Sequence, residues 1–412
     1  MAAEPARDEA RPRPLSGISV IDLAGPFGAY ASRLLADLGA SVTRVVPPEG
    51  DPLDEEWPQV DTAHGRRSAF AWFVNIDKQL VSLDLRQPAG RDELDRLLAA
   101  ADVLIETWGN DEQAWGRRDR AELAARFPQL VVVSVTPFGI DGPASGHSGT
   151  DLIALAAGGL LSLGGYPDSE PIATPGQAPL AASIFGAAAA IFGLIARDSE
   201  GSGQQLDVAA QEVIAAALED AIPQFDLTGT VRRRVGDTPR EAGTGIYRCA
   251  DGYVSMVAGR LGTARAWRAL VGWLVEAGVE GAEVLLEEPW DSFDHRRRPE
   301  SVATFTVIFE RFTAAKGKSE LYQEAQRRSI ALAPVNEIPE VLADQQLAAR
   351  GFFVPLEVEP LGRELVVPGP PYRLADDGPF QPRLAGSPQR AGQHLAEDAT
   401  AGRPVLRGAP AC

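Results

Sequence analysis

The chain predicts an α/β fold with a parallel sheet, and three observations carry that prediction. Strand-like apolar runs alternate with segments of helical period from "GISVIDLAG" to "LVVVSVTPFG". Those runs are almost continuously apolar, as strands covered on both faces are. Finally, the composition changes after about residue 235, where a second, smaller α+β domain is expected.

The elements follow in order. Ile18, Val20, Ile21 and Leu23 form a glycine-bounded strand, and "GAYASRLLADLGA" follows at helical period with Gly39 as its stop. "SVTRVVPPEGD" is a second strand, ended by two prolines. "QLVSLDL", "AGRDELDRLLAAA", "DVLIET", "DRAELAARFPQ" and "LVVVSVTPFG" continue the alternation. Ligands in such sheets sit at the carboxyl ends of strands, which directs attention to the loops 24–27, 46–51, 107–110 and 136–142. "QQLDVAAQEVIAAALEDAI" reads as a strand and a further helix, and Asp251-Gly252 marks a β-hairpin in the smaller domain. The expected division is a disordered N-terminus over 1–14, a large domain over 15–225, a small domain over 235–330, and a return to the large domain over 331–412.

The 412 residues carry a formal net charge of −18. That balance argues against a nucleic-acid partner or an anionic membrane surface, both of which need clustered cations. Leu180–Ala196 carries no charge, but it is short and rich in Ala and Gly, as a buried core helix is. Cys249 and Cys412 cannot build a disulfide framework, and His64, His147, His295 and His394 lack metal-ligand spacing, so no metal is expected. The N-terminal stretch has no continuous apolar core of a secretory signal, which makes the cytoplasm the default location. The first strand is followed by no G-x-G-x-x-G. Gly201-Ser202-Gly203 reads as a turn, and Arg232, Arg233 and Arg234 read as linker surface.

Taken in order, "PLSGISVIDLAGPFGAYASRLLADLGASVTRVVPPEGDPL", "NIDKQLVSLDLRQPAGRDELDRLLAAADVLIETWG", "PQLVVVSVTPFGIDGPASG" and "TDLIALAAGGLLSLGGYPDSEP" resemble the class III CoA-transferases of the formyl-CoA and carnitine type. That family includes the α-methylacyl-CoA racemases. The resemblance implies a Rossmann-like large domain, a smaller domain in mid-chain, and an interlocked homodimer or heterodimer. It implies coenzyme A as ligand, with an acyl-CoA and a small carboxylic acid as substrates. The family's transferases attack the thioester with an aspartate at the start of the helix that follows the glycine-rich hairpin, forming a mixed anhydride and releasing CoA thiolate.

Carried onto this sequence, that aspartate falls at Ala178 or Pro179, and neither can attack. The neighbours offer only Ser183, which reads as a small helix-packing residue. The racemases' histidine corresponds to Thr150, leaving Asp151 as a candidate that also reads as a helix cap, with His147 nearby. The resemblance further assigns Asn75 and Lys78, and then Thr107, Trp108 and Gly109, to coenzyme A. The arginine expected before Gly116 is Trp115, and losing one such phosphate contact costs about 1.5–3 kcal/mol. Three readings follow: a transferase with a relocated nucleophile, a non-catalytic subunit paired with an aspartate-bearing paralogue, or a diverged racemase-like enzyme or protein binding a ligand other than CoA.

Overall fold

The computed structural model describes residues 13–63, 65–108, 120–260, 264–373, 380–386 and 389–390. The strands, in chain order, are β1 (Ser19–Leu23), β2 (Ser41–Val46), β3 (Gln59–Thr62), β4 (Gly65–Ser68), β5 (Lys78–Ser82), β6 (Val103–Glu106) and β7 (Val131–Thr136). They continue with β8 (Gln205–Ala209), β9 (Thr244–Cys249), β10 (Gly252–Val257), β11 (Ala331–Pro334), β12 (Phe353–Val358), β13 (Arg363–Pro368) and β14 (Gln389–Arg390). The chain divides into two units, one of Met1–Leu161, Ala173–Thr230 and Gln345–Cys412, the other of Ser162–Ile172 and Val231–Asp344.

The larger unit is built on a seven-stranded sheet of order β14-β5-β2-β1-β6-β7-β8, and every pairing in it is parallel. Its central strands β6 and β7 are buried along their whole length because both of their sides are covered. Val20, Ile105, Val131, Val133 and Val135 pack into one core, with the first helix (Ala29–Asp37) and the long helix (Gln177–Glu200). Ile21, Leu23, Leu104 and Val132 pack into another, with the helix Pro88–Ala100. The α/β class read from the strand–helix alternation is what the chain adopts.

Residues Leu180–Ala196, read as a buried core helix, are buried on one face only. The helix is longer, Gln177–Glu200, and is the one helix among the described residues with the length and hydropathy to cross a membrane, yet half of its most apolar window is buried in the protein. Its buried face is lined with small residues: Ala178, Ala182, Ser183, Gly186, Ala187, Ala190 and Gly193, with Leu194. A Cβ on Gly193 would stand 2.5 Å from Val131 Cγ1, and one on Gly186 2.9 Å from Val135 Cγ2. Glycine there is what lets the helix lie close on the sheet. Ile184, Phe185, Phe192 and Ile195 stay exposed on the opposite face, within about 100° of helical arc.

In the smaller unit the antiparallel sheet β11-β10-β9 carries an aromatic-rich core that includes Trp267, Trp273, Phe305, Phe309 and Tyr247. The hairpin expected at Asp251-Gly252 joins β9 to β10, with Gly252 opposite Cys249. The return to the larger unit begins later than residue 331: Leu332 pairs with Met256, so β11 closes the small sheet and the chain goes back at Gln345. The excursion Ser162–Ile172, inside the stretch read as large domain, also belongs to the smaller unit.

Candidate functional site

The first strand ends in a buried carboxylate. Asp22 Oδ2 accepts from Lys78 Nζ at 2.8 Å and from Ser32 Oγ at 2.7 Å, and Oδ1 accepts from the Ala24 amide at 2.8 Å and Arg44 Nη1 at 3.2 Å. Burial alone would raise this carboxyl, but the Lys78 and Arg44 charges outweigh it and hold it below its ordinary value. Arg44 also grips Asp51 with two parallel bonds, Nε to Oδ2 at 2.8 Å and Nη2 to Oδ1 at 2.7 Å. Asn75 Nδ2 donates to the same Asp51 Oδ2 at 2.8 Å.

Two residues assigned to coenzyme A therefore meet in one network. The Lys78 ammonium is fully buried, donates also to the Ala29 carbonyl at 2.9 Å, and is pushed down to about 8 by that burial. It neutralises the interior. Asn75 Oδ1 is buried and accepts no hydrogen bond, leaving one polar atom of the pair without a protein partner. Between them Asp77 adopts a left-handed backbone, φ 57°, and its loop is tied to Arg383 through Asp77 N–H to Arg383 O at 2.8 Å and the Arg383 amide to Asp77 Oδ1 at 3.0 Å.

The loops after β1 and β6 meet where the strand order reverses. Thr107 Oγ1 accepts from the Gly25 amide at 2.7 Å, and a Cβ on Gly25 would sit 3.0 Å from that oxygen. The Trp108 amide caps Glu106, whose carboxyl is buried, paired with Arg120 at 2.8 Å, and raised by desolvation. Thr107 and Trp108 thus lie at the crevice that parallel sheets use for ligands. Gly109, with Trp115 and Gly116, lies outside the described residues.

The long helix begins without chemistry. Its N-cap is Gly176, φ 83°, and the side chains that follow are Gln177, Ala178 and Pro179, with Ala178 fully buried. Its first amides are already occupied: Gly176 N–H donates to Asp151 Oδ2 at 2.6 Å and Ala178 N–H to Asp151 Oδ1 at 2.9 Å. Asp151, the first residue of its own helix Asp151–Ala157, spends both oxygens capping another. Ser183 is buried and donates to the Phe27 carbonyl at 2.8 Å, a packing role. His147 is exposed, edge-on to Phe138. Gly203 passes so close to the Leu130 carbonyl, 2.2 Å from an added Cβ, that the Gly201–Gly203 turn has a structural reason for its glycines. Among the described residues no group of three His, Cys, Asp or Glu side chains could hold a metal ion.

The sequence profile of CoA-transferase family III matches residues 15–395. The chain belongs to that family. Among relatives, it is 34% identical to the succinyl-CoA:(R)-benzylsuccinate CoA-transferase subunit BbsE of Thauera aromatica, over 93% of this chain and 92% of that one. It is 32% identical to the alpha subunit of the succinyl-CoA–L-malate CoA-transferase of Chloroflexus aurantiacus, over 88% of this chain and 83% of that one. A solved family member, the CAIB/BAIF family protein from Brucella suis, superposes with a TM-score of 0.76 at 27% identity, over 89% of this chain and 94% of that one. Family membership accounts for the sheet and for coenzyme A thioesters as the substrate class. It does not supply a nucleophile to the start of the long helix.

Proposed function

We propose that this chain is the non-catalytic subunit of a heteromeric class III CoA-transferase, which moves CoA between an acyl-CoA thioester and a carboxylic acid. One observation carries the reading: where the family places its nucleophile, this helix has Ala178 and Pro179, and the amides that begin it are taken by Asp151. The partner, an aspartate-bearing paralogue, supplies the carboxylate that attacks the thioester carbonyl carbon. The C–S bond breaks, CoA leaves as thiolate, and a mixed anhydride remains on the partner. This chain supplies its share of the paired scaffold and a CoA-binding surface at Thr107, Trp108 and Gly109, while Asn75 and Lys78, both buried, serve the Asp22–Arg44–Asp51 network.

Two further facts support it. The relatives above are themselves named as subunits of transferases acting from succinyl-CoA. In addition, the larger unit exposes Ile184, Phe185, Phe192 and Ile195 on one helix and Ile222, Phe225 and Leu227 on another, the kind of apolar surface that partners cover. The test is CoA transfer from succinyl-CoA, assayed for the chain alone and for the chain co-purified with its paralogue. We expect turnover only from the pair, and none when the paralogue's aspartate is replaced by alanine. Turnover by a homodimer of this chain alone would overturn the proposal.

A further inference from the structure

We propose that Arg234 is a positioning residue that clamps the Ser162–Ile172 loop into one conformation; its role in turnover rests on the subunit reading above. The sequence reads Arg232–Arg234 as linker surface, yet the Arg234 guanidinium faces inward onto backbone. Nε donates to the Tyr166 carbonyl at 3.0 Å, Nη1 to that of Ser162 at 3.1 Å and Nη2 to that of Ser169 at 2.8 Å. Three acceptors spaced along one loop converge on one planar fork, a geometry that a lysine ammonium at the end of a flexible stem does not reproduce.

Two residues on, the Gly236 amide donates to the Gly165 carbonyl at 3.1 Å, and the Ile172 amide closes the loop on the Gly164 carbonyl at 3.1 Å. A Cβ on Gly236 would stand 2.5 Å from Tyr166 Cδ1, so the approach requires glycine there, at φ 57°. Arg234 and Gly236 thus form one edge that gathers the carbonyls of the loop. The loop is an excursion: the chain leaves the larger unit after Leu161 and re-enters it at Ala173, four residues before the long helix starts at Gln177. The loop ends five residues before Gln177, so the clamp restricts the stretch of chain that leads into that helix.

Hydrogen exchange on this chain, with kinetics on the co-purified pair, tests the assignment. In Arg234→Ala and Arg234→Lys the amides of Ile172 and Gly236 should exchange at least tenfold faster, while those of Tyr247 and Val254 in the small sheet stay protected. Gly236→Ala should behave likewise. In the pair, kcat should fall about tenfold with KM for succinyl-CoA changed less than twofold. Unchanged exchange at Ile172 and Gly236 would overturn the clamp, and faster exchange with unaltered kcat would overturn the positioning role. A wild-type pair without turnover would remove the subunit reading instead, and exchange alone would then decide whether the clamp exists.

Discussion

On the first helix Arg33 Nε donates to Asp37 Oδ1 at 2.7 Å, both side chains being almost wholly out of solvent. Burial pushes the Asp37 carboxyl up to about 6 from 3.8, more than the Arg33 charge beside it can offset. A raised folded value favours the protonated form, so this group's contribution is complete below the unfolded value and is lost as pH rises through 6. The wild type should lose up to about 3 kcal/mol relative to Asp37→Asn between pH 4 and pH 7. Urea unfolding of both proteins at three pH values measures this; a difference independent of pH would mean that Asp37 ionises normally. Asp151 offers a second test at this scale. Replacing it with alanine strips two helix amides of their acceptor and should cost about 1–2 kcal/mol, with the Asp151→Asn loss smaller because one oxygen remains. An undiminished melting temperature in Asp151→Ala would show that water caps the helix equally well.

Glycines separate elements that need close approach from those that do not. Gly193→Val would drive a side chain into Val131 and Leu206, where an added Cβ already meets carbon at 2.5 and 2.9 Å. The cost should be about 3 kcal/mol or more. Gly272, inside the helix Ala264–Glu276, has nothing within 4 Å of an added Cβ, and Gly272→Ala should stabilise the chain by about 0.5–1 kcal/mol. Opposite shifts in urea midpoint are the expected result; a loss in Gly272→Ala would mean the helix face is not open. Elements of this kind were legible wherever the signal was local: the strand runs, the Asp251-Gly252 turn and the uncharged helix all stand in the sequence. What escaped depends on distant partners. The exposed stripe of the long helix needs knowledge of which face meets Val131 and Val135. Lys78 reads as a ligand contact until Asp22, 56 residues earlier, is found against it. Arg234 reads as surface because its acceptors are carbonyls 65 to 72 residues away.

For the whole molecule, the apolar face of the long helix is the feature that association should cover. Phe192 is 65% exposed and contributes little to the fold of its own chain. Phe192→Glu combined with Ile195→Glu should leave the melting temperature of the isolated chain within a few degrees and abolish co-purification with the paralogue, as light scattering and pull-down would show. Retained pairing would place the contact elsewhere. That Ala178 and Pro179 carry no acid is, by contrast, legible in the sequence, because it is a matter of residue type and not of geometry.

The way the backbone crosses between units has a practical consequence for protein engineering. The smaller unit is not a cassette that two cuts can remove, since Ser162–Ile172 enters it from another part of the chain. A graft excised at Val231 and Asp344 would leave the Arg234 fork without its acceptors and carry an unsatisfied edge into the recipient. Chimaeras between members of this family should therefore be cut at four junctions, moving the short excursion with the long one.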